Sequence, residues 1–221
     1  MNSIAERLCQ LKGELPENVR LLAVSKFKSD SAIMEAYRAG QRIFGENRVQ
    51  ELIPKYEHLP NDIEWHFIGH LQANKVKYIA PFIHTIQSVD SLKLAETVNK
   101  EAEKYNRKIR VLLQIHIAQE EQKFGFSFDE IADLLQNNRF GLMNNIDIAG
   151  LMGMATLTDD QTQIRHEFNS LHRFFLQIKT DYFAGSHSFS ELSMGMSDDY
   201  PIAIEEGSTM IRIGSKLFGA R

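Results

Sequence analysis

The sequence contains a single cysteine, no basic tract and no long apolar run. With only Cys9, no disulfide can form within the chain and no metal cluster can be built on several thiolates. A net charge of −4 without clustered lysine and arginine disfavours a general nucleic-acid or anionic-membrane surface. No apolar stretch approaches the roughly 18 residues of a membrane span. We therefore expect a soluble cytoplasmic protein that binds neither nucleic acid nor membrane.

The amino-terminal segment is predicted to form a helix and not a secretion signal. Glu6 lies within it and no continuous apolar region follows, so the core of a signal peptide is missing. Ile4, Leu8 and Leu11 recur at the spacing of one helix face. We expect Cys9 to be a small buried side chain of this helix.

Eight short apolar segments, each typical of a strand, alternate with segments typical of helices. The predicted strands are residues 20–25, 42–46, 64–69, 82–88, 109–118, 146–154, 188–195 and 208–214. Helix signals lie between them: Ser29 or Asp30 before one helix, and a capping box of Ser127 and Glu130 before another. A further helix is predicted over residues 71–80.

Strands that alternate with helices predict a parallel sheet, and eight such units predict a closed barrel. We expect an α/β fold with one domain over residues 1–221: a (β/α)8 barrel of the TIM type with an extra N-terminal helix. An open doubly wound sheet uses the same unit and is the alternative; the absence of a GxGxxG motif after the first strand weakens it only slightly.

Polar residues at the predicted carboxyl ends of the strands are the candidate site, because barrel active sites gather there. The candidates are Lys26, Asn47, Ser197, Arg212, Gly214 and Ser215, with His66 inside the third strand. Gly214 and Ser215 stand where a new helix begins, so that free backbone N–H groups can bind an anion. Five of these seven also have a plain structural explanation: Lys26 as a surface residue, Ser197 or Ser215 as a helix cap, Gly214 as a turn, and His66 as a core histidine.

A lysine, an arginine and a phosphate-binding turn at one barrel mouth suggest Schiff-base chemistry. A lysine amine condenses with aldehydes, and pyridoxal 5′-phosphate (PLP) is an aldehyde that carries a phosphate. The same groups would also hold a sugar phosphate. No HxH or HExxH spacing is present among the histidines, so no metal site is expected. The adjacent carboxylates Asp198 and Asp199, and Glu205 and Glu206, are interpreted as helix caps or solvated surface.

Several long motifs resemble those of the pyridoxal phosphate homeostasis proteins. They are LLAVSKFK, FGENRVQE, EWHFIGHLQANK, IQSVDS, GLMGMAT, LSMGMSDDYPIAIEEGSTMIRIG and KLFGAR, in order along nearly the whole chain. This family is similar in fold to the PLP-binding barrel of alanine racemase but lacks its second, β-rich domain. One departure is His70, at a position where a small residue or proline is more usual.

The resemblance implies a role for each candidate. Lys26 matches the lysine that forms the Schiff base, and Arg212 the arginine that faces the pyridine nitrogen. Gly214 and Ser215 match the turn that holds the phosphate, Ser197 matches a second phosphate contact, and Asn47 is a further pocket residue. An arginine can only donate, so it favours an unprotonated pyridine nitrogen and a weaker electron sink.

The function implied is non-enzymatic intracellular PLP homeostasis, with PLP held on Lys26 without efficient turnover. The partners expected are PLP, PLP-dependent apoenzymes and free amino acids, and the protein is expected to be a monomer. The alternatives are a PLP-dependent amino-acid racemase of reduced size and a sugar-phosphate isomerase. A racemase needs a base on the opposite face of the cofactor, and none of the six tyrosines has an evident claim to that role.

Overall fold

A computed structural model describes residues 3–119 and 124–219 of the chain. Eight parallel strands pair in chain order, and β1 also pairs with β8, so the sheet closes into a barrel. The strands are β1 (Arg20–Val24), β2 (Ile43–Glu46), β3 (Glu64–Phe67), β4 (Thr85–Val89), β5 (Ile109–Ile115), β6 (Ile146–Gly153), β7 (Glu191–Ser193) and β8 (Met210–Ile213).

Helices precede, connect and follow the strands. Within the described residues they are α1 (Ile4–Glu14), α2 (Asp30–Arg38), α3 (Val49–His58), α4 (Val76–Ile79), α5 (Leu92–Lys104), α6 (Phe128–Gln136), α7 (Gln161–Tyr182), α8 (Tyr200–Glu205) and α9 (Ser215–Phe218). None of the helices in this part of the chain is long and apolar enough to cross a membrane. The (β/α)8 barrel and the extra N-terminal helix are confirmed, and the open sheet is wrong because the sheet closes. The single-domain boundaries stay a prediction.

Local signals set most helix boundaries as expected. Ser29 caps α2 by accepting the N–H of Ala32, and Ser127 with Glu130 forms the predicted capping box of α6. The helix expected over residues 71–80 is shorter, because it begins as a 3₁₀ turn at Ala73–Lys75 and becomes α-helical only at Val76.

The prediction that Cys9 is buried is wrong, because its side chain is exposed. The buried residues of α1 are Leu8 and Leu11. Successive residues of an α-helix turn by about 100°. Cys9 therefore points away from the buried face that Leu8 and Leu11 form.

Strand β1 shows how the barrel aims its side chains. Leu21 and Ala23 belong to the main core, whereas Leu22 and Val24 pack with Met210 of β8 in a separate cluster. Side chains alternate between the two faces of a strand, so Leu22 and Val24 point to the barrel interior. Lys26 continues their parity just beyond the end of the strand. The side chain of Lys26 therefore starts from rigid backbone at the strand end and is directed into the barrel.

Candidate functional site

All six predicted site residues line one cavity at the carboxyl ends of the strands. Its volume is about 520 Å³, within the usual range for a small-molecule pocket. The predicted residues around it are Lys26, Asn47, Ser197, Arg212, Gly214 and Ser215. Their convergence was expected from the barrel geometry; their roles in binding stay predictions.

Lys26 enters the cavity from the end of β1 and is half-buried. Among the described residues, no side chain or carbonyl forms a hydrogen bond or ion pair with its ammonium group. Asn47, beside it after β2, has a buried Oδ1 atom that accepts no hydrogen bond from the described protein. The Lys26 amine is therefore available to a ligand, whereas the Asn47 Oδ1 atom is buried.

Arg212 lies on β8 with only 4% of its surface exposed. One terminal nitrogen donates to Ser193 Oγ at 2.8 Å, and the other donates to the carbonyl of Gly153 at 2.9 Å. Burial lowers the pKa of the guanidinium to about 10, and nearby Asp199 partly opposes that shift. Arg212 therefore remains a protonated hydrogen-bond donor at neutral pH.

The loops after β7 and β8 meet at Ser197 and Gly214. The Gly214 N–H donates to Ser197 Oγ at 3.4 Å, so Ser197 joins the two loops and does not cap the helix that follows it. Ser215 begins α9, and the first N–H groups of a helix have no acceptor within the helix. A Cβ atom at Gly214 would meet its nearest protein atom, Val24 Cβ, only at 3.5 Å. The absence of a side chain at 214 thus leaves the backbone beside the first N–H groups of α9 uncovered.

The cavity rim contains an aromatic stack that the sequence did not predict. The rings of His70 and Phe124 stack at 3.7 Å between centroids, and His70 Nδ1 lies 2.8 Å from Asp90 Oδ2. The Gln114 side chain donates to the carbonyl of Phe124 at 2.8 Å. Gln114 could have been found from the sequence, because it is a polar residue near the carboxyl end of β5. Nothing in the sequence marks Phe124, which lies on the loop that follows.

The predicted position of Asp199 at the start of a helix is confirmed, but its side chain is neither a capping group nor solvated. Asp199 occupies the N-cap position of α8, but its side chain makes no capping bond and is only 8% exposed. Its carboxylate instead accepts the N–H of Met196. Burial raises the pKa of Asp199, which the Met196 bond and the charge of Arg212 partly offset. Adjacent Asp198 lines the cavity.

A chain of buried hydrogen bonds runs from His66 to Arg212. His66 Nδ1 lies 2.8 Å from Gln87 Nε2, and Ser193 Oγ, the acceptor for Arg212, donates to Gln87 Oε1 at 2.7 Å. Each link joins a different strand, so no sequence spacing reveals it. His66 is therefore a hydrogen-bonded core residue, and it supports Arg212 indirectly.

His66 also lies near Glu64 and His84, at the start of β3 and just before β4. One potential ligand atom from each lies within 4.8 Å of the others. Burial places the pKa of His66 well below its usual value, and the charges of His84, Arg20 and Arg110 lower it further. Two nearby arginines oppose a bound cation, so the absence of a metal stays our prediction. These three residues come together because β3 and β4 are neighbours in the barrel. Motifs of fixed sequence spacing, such as HxH and HExxH, cannot detect such a group.

The chain is similar over its whole length to proteins of one family. The family model for the alanine racemase N-terminal domain matches residues 1–221. A pyridoxal phosphate homeostasis protein of Haemophilus influenzae is 38% identical over 219 residues, which cover 98% of this chain and 91% of the relative. A protein of the same name from Synechocystis is 42% identical over 209 residues, 94% of each chain.

Solved structures show the same fold. PipY of Synechococcus elongatus, determined with PLP bound, has 38% identity and a TM-score of 0.88; the match covers 98% of this chain and 100% of PipY. An alanine racemase of Clostridium difficile has a TM-score of 0.78 at 16% identity, over 99% of this chain and 56% of the racemase. That second likeness is one of fold alone.

Proposed function

We propose that this chain, which belongs to the family of alanine racemase N-terminal domains and pyridoxal phosphate homeostasis proteins, binds PLP at the barrel mouth and holds it on Lys26. One observation carries the proposal: Lys26, Arg212 and the Ser197–Gly214 junction surround a single cavity. PipY, whose structure contains PLP, is 38% identical to this chain. The function is PLP homeostasis, as the names of the relatives indicate.

The residues present fit the chemical groups of PLP. The aldehyde of PLP condenses with a lysine amine to an imine, with release of one water molecule. Lys26 supplies a lysine amine that has no partner among the described residues; Lys28 also lines the cavity, but its Nζ donates to the carbonyl of Gly219 at 3.2 Å. Lys26 is therefore the proposed Schiff-base residue.

Arg212 is proposed to face the pyridine nitrogen. Ser193 and Gly153 fix two edges of its guanidinium, and burial does not remove its proton at neutral pH. A group that only donates pairs with an unprotonated nitrogen. Arg212 therefore favours binding of the neutral pyridine ring over the pyridinium form that catalysis on amino acids uses best.

The phosphate is proposed to lie at the junction of the two last loops. Ser197 offers its hydroxyl proton while its oxygen accepts the Gly214 N–H, and Ser215 offers a backbone N–H group beside them. Because Gly214 has no side chain, a phosphate oxygen can approach the backbone there closely. Asn47 lines the same cavity and is proposed as a further pocket residue.

We propose that binding is not followed by efficient turnover. Of the described residues that line the cavity, none is a tyrosine, the residue that would serve as the second base of a racemase. The racemase alternative is supported by shared fold alone. A sugar-phosphate isomerase would use the same phosphate loops and leave Lys26 without a role. Monomeric state, cytoplasmic location and transfer of PLP to apoenzymes or amino acids stay predictions.

Titration with PLP, followed by a racemisation assay, tests this function. We expect the purified protein to acquire the visible absorbance of a PLP imine, and the Lys26→Ala variant not to. Incubation of the loaded protein with L-alanine should produce no D-alanine above the rate of free PLP. Steady racemisation that Lys26→Ala abolishes would establish the racemase, and an unchanged spectrum would favour the sugar-phosphate alternative.

A further inference from the structure

Helix α3 contacts the backbone on both sides of Lys26. Before the lysine, the carbonyl of Ser25 accepts a hydrogen bond from Lys55 Nζ at 2.9 Å. After it, the N–H of Phe27 donates to Glu51 Oε2 at 2.9 Å. Glu51 and Lys55 are four residues apart and so lie on the same face of the helix. The two bonds bracket Lys26, whose amine enters the cavity without a partner among the residues that the structure describes.

The backbone that these bonds hold has an uncommon conformation. Phe27 has a φ of +61°, in the left-handed region that bulky side chains rarely adopt. Such a conformation persists only where the surroundings enforce it, and it is frequent next to functional groups. Glu51 supplies such a constraint, because its carboxylate fixes the Phe27 N–H. The turn therefore redirects the chain immediately after Lys26.

Lys55 is itself fixed by a buried acid. Its Nζ lies 2.6 Å from Glu46 Oε1, and the Ser25 hydroxyl donates to that same oxygen at 2.6 Å. Glu46 is fully buried and Lys55 is 7% exposed. A buried ion pair is a weak source of stability compared with apolar residues of the same volume, but it fixes geometry. Here the pair fixes Ser25, the residue before Lys26.

We propose that Glu51 and Lys55 are positioning residues that present the Lys26 amine to the aldehyde of PLP. This inference rests on the proposed Schiff base at Lys26. Neither residue lines the cavity, so both act through the Ser25–Phe27 backbone and touch no part of the ligand. They set the rate at which the Lys26 nitrogen bonds to the aldehyde carbon, whose oxygen leaves as water. They leave phosphate and ring binding unchanged.

Glu51→Ala and Lys55→Met remove the two bonds, and Glu51→Gln keeps an acceptor for the Phe27 N–H. Glu57→Ala is the matched control, because Glu57 is an exposed residue of the same helix. The probes are PLP, which forms an imine, and pyridoxamine 5′-phosphate, which keeps the ring and phosphate but has no aldehyde. A third measurement, the rate at which Lys26 is acetylated in ligand-free protein, reports directly how accessible its amine is.

We expect Glu51→Ala and Lys55→Met to slow imine formation roughly 10- to 100-fold, the usual effect of displacing a reacting group by about 1 Å. Pyridoxamine phosphate affinity should stay within about twofold of wild type. The Lys26 acetylation rate should change in both variants. Glu51→Gln and Glu57→Ala should resemble wild type. If Lys55→Met does not fold, Glu51→Ala decides alone, because Glu51 is only half-buried.

Two results would overturn the inference. In one, both variants form the imine at the wild-type rate. In the other, pyridoxamine phosphate affinity falls by the same factor as the imine rate, which means that the bonds only support the fold. A wild-type protein that forms no imine at Lys26 would instead refute the proposed function, before any variant is compared.

Discussion

Lys26 and Arg212 face one cavity from neighbouring strands of the barrel. Arg212 pairs in register with Leu22 across β8 and β1, and Lys26 follows β1 on the inward parity of Leu22. Closure of the barrel is what brings these strands together, because they are the first and last of the chain. The Lys26 amine and the Arg212 guanidinium are thus held on the same side of the barrel by rigid strands.

Ser193 should govern how firmly Arg212 is held. Ser193→Ala leaves one Arg212 nitrogen and Gln87 Oε1 without their buried partner. Unfolding free energy should fall by about 1–3 kcal/mol, and PLP should bind more weakly. Urea denaturation and a PLP titration measure the two effects. Ser190→Ala, at an exposed serine just before β7, should change neither; equal effects from both variants would contradict the account of Arg212.

Gly69 and Gly214 both line the cavity, but alanine should affect them differently. A Cβ at Gly69 would lie 2.5 Å from the carbonyl oxygen of Asn47, so Gly69→Ala must displace backbone and should destabilise the fold by about 1–3 kcal/mol. A Cβ at Gly214 makes ordinary contacts with the protein.

Gly214→Ala should therefore keep nearly wild-type stability and weaken PLP binding, because its methyl group occupies space proposed for the phosphate. Thermal unfolding and PLP titration of the two variants separate these effects. Undiminished PLP affinity in a folded Gly214→Ala protein would show that the phosphate lies elsewhere.

Acid should destabilise the protein partly through His66. Its folded-state pKa lies well below the unfolded value of about 6.5, because the ring is buried. Only the unfolded chain takes up this proton below pH 6.5, so stability present above that pH is lost as the pH falls toward the depressed pKa. One such proton contributes up to about 1.4 kcal/mol per pH unit.

His66→Gln should reduce the slope of unfolding free energy between pH 6.5 and 5. Burial also lowers the pKa of His84, which should therefore keep part of the slope. Urea unfolding at several pH values measures it, with exposed His187→Gln as the control. A slope that His66→Gln leaves unchanged would mean that His66 is not the buried neutral ring described above.

The barrel was predictable because its signals are local: apolar segments of strand length, caps such as Ser29 and Ser127, and eight repeats of one unit. The positions of Lys26 and Arg212 followed, since strand ends share one edge. The Glu46–Lys55 pair and the Gln87–Ser193 bond were not predictable, because they join residues whose sequence spacing carries no periodic signal. Burial of Asp199 was not predictable for a related reason. An acidic residue just before a helix is expected to be a solvent-exposed cap, and only the residues packed around it show that it is buried.

Mapping the PLP attachment site tests the central claim most directly. The wild-type protein would be saturated with PLP, reduced with borohydride, digested, and its peptides weighed by mass spectrometry. We predict one reduced PLP group on the peptide that contains Lys26, and on Lys26 itself. Attachment at Lys28, the other lysine described in the cavity, or no attachment above that of an unfolded control, would contradict the account.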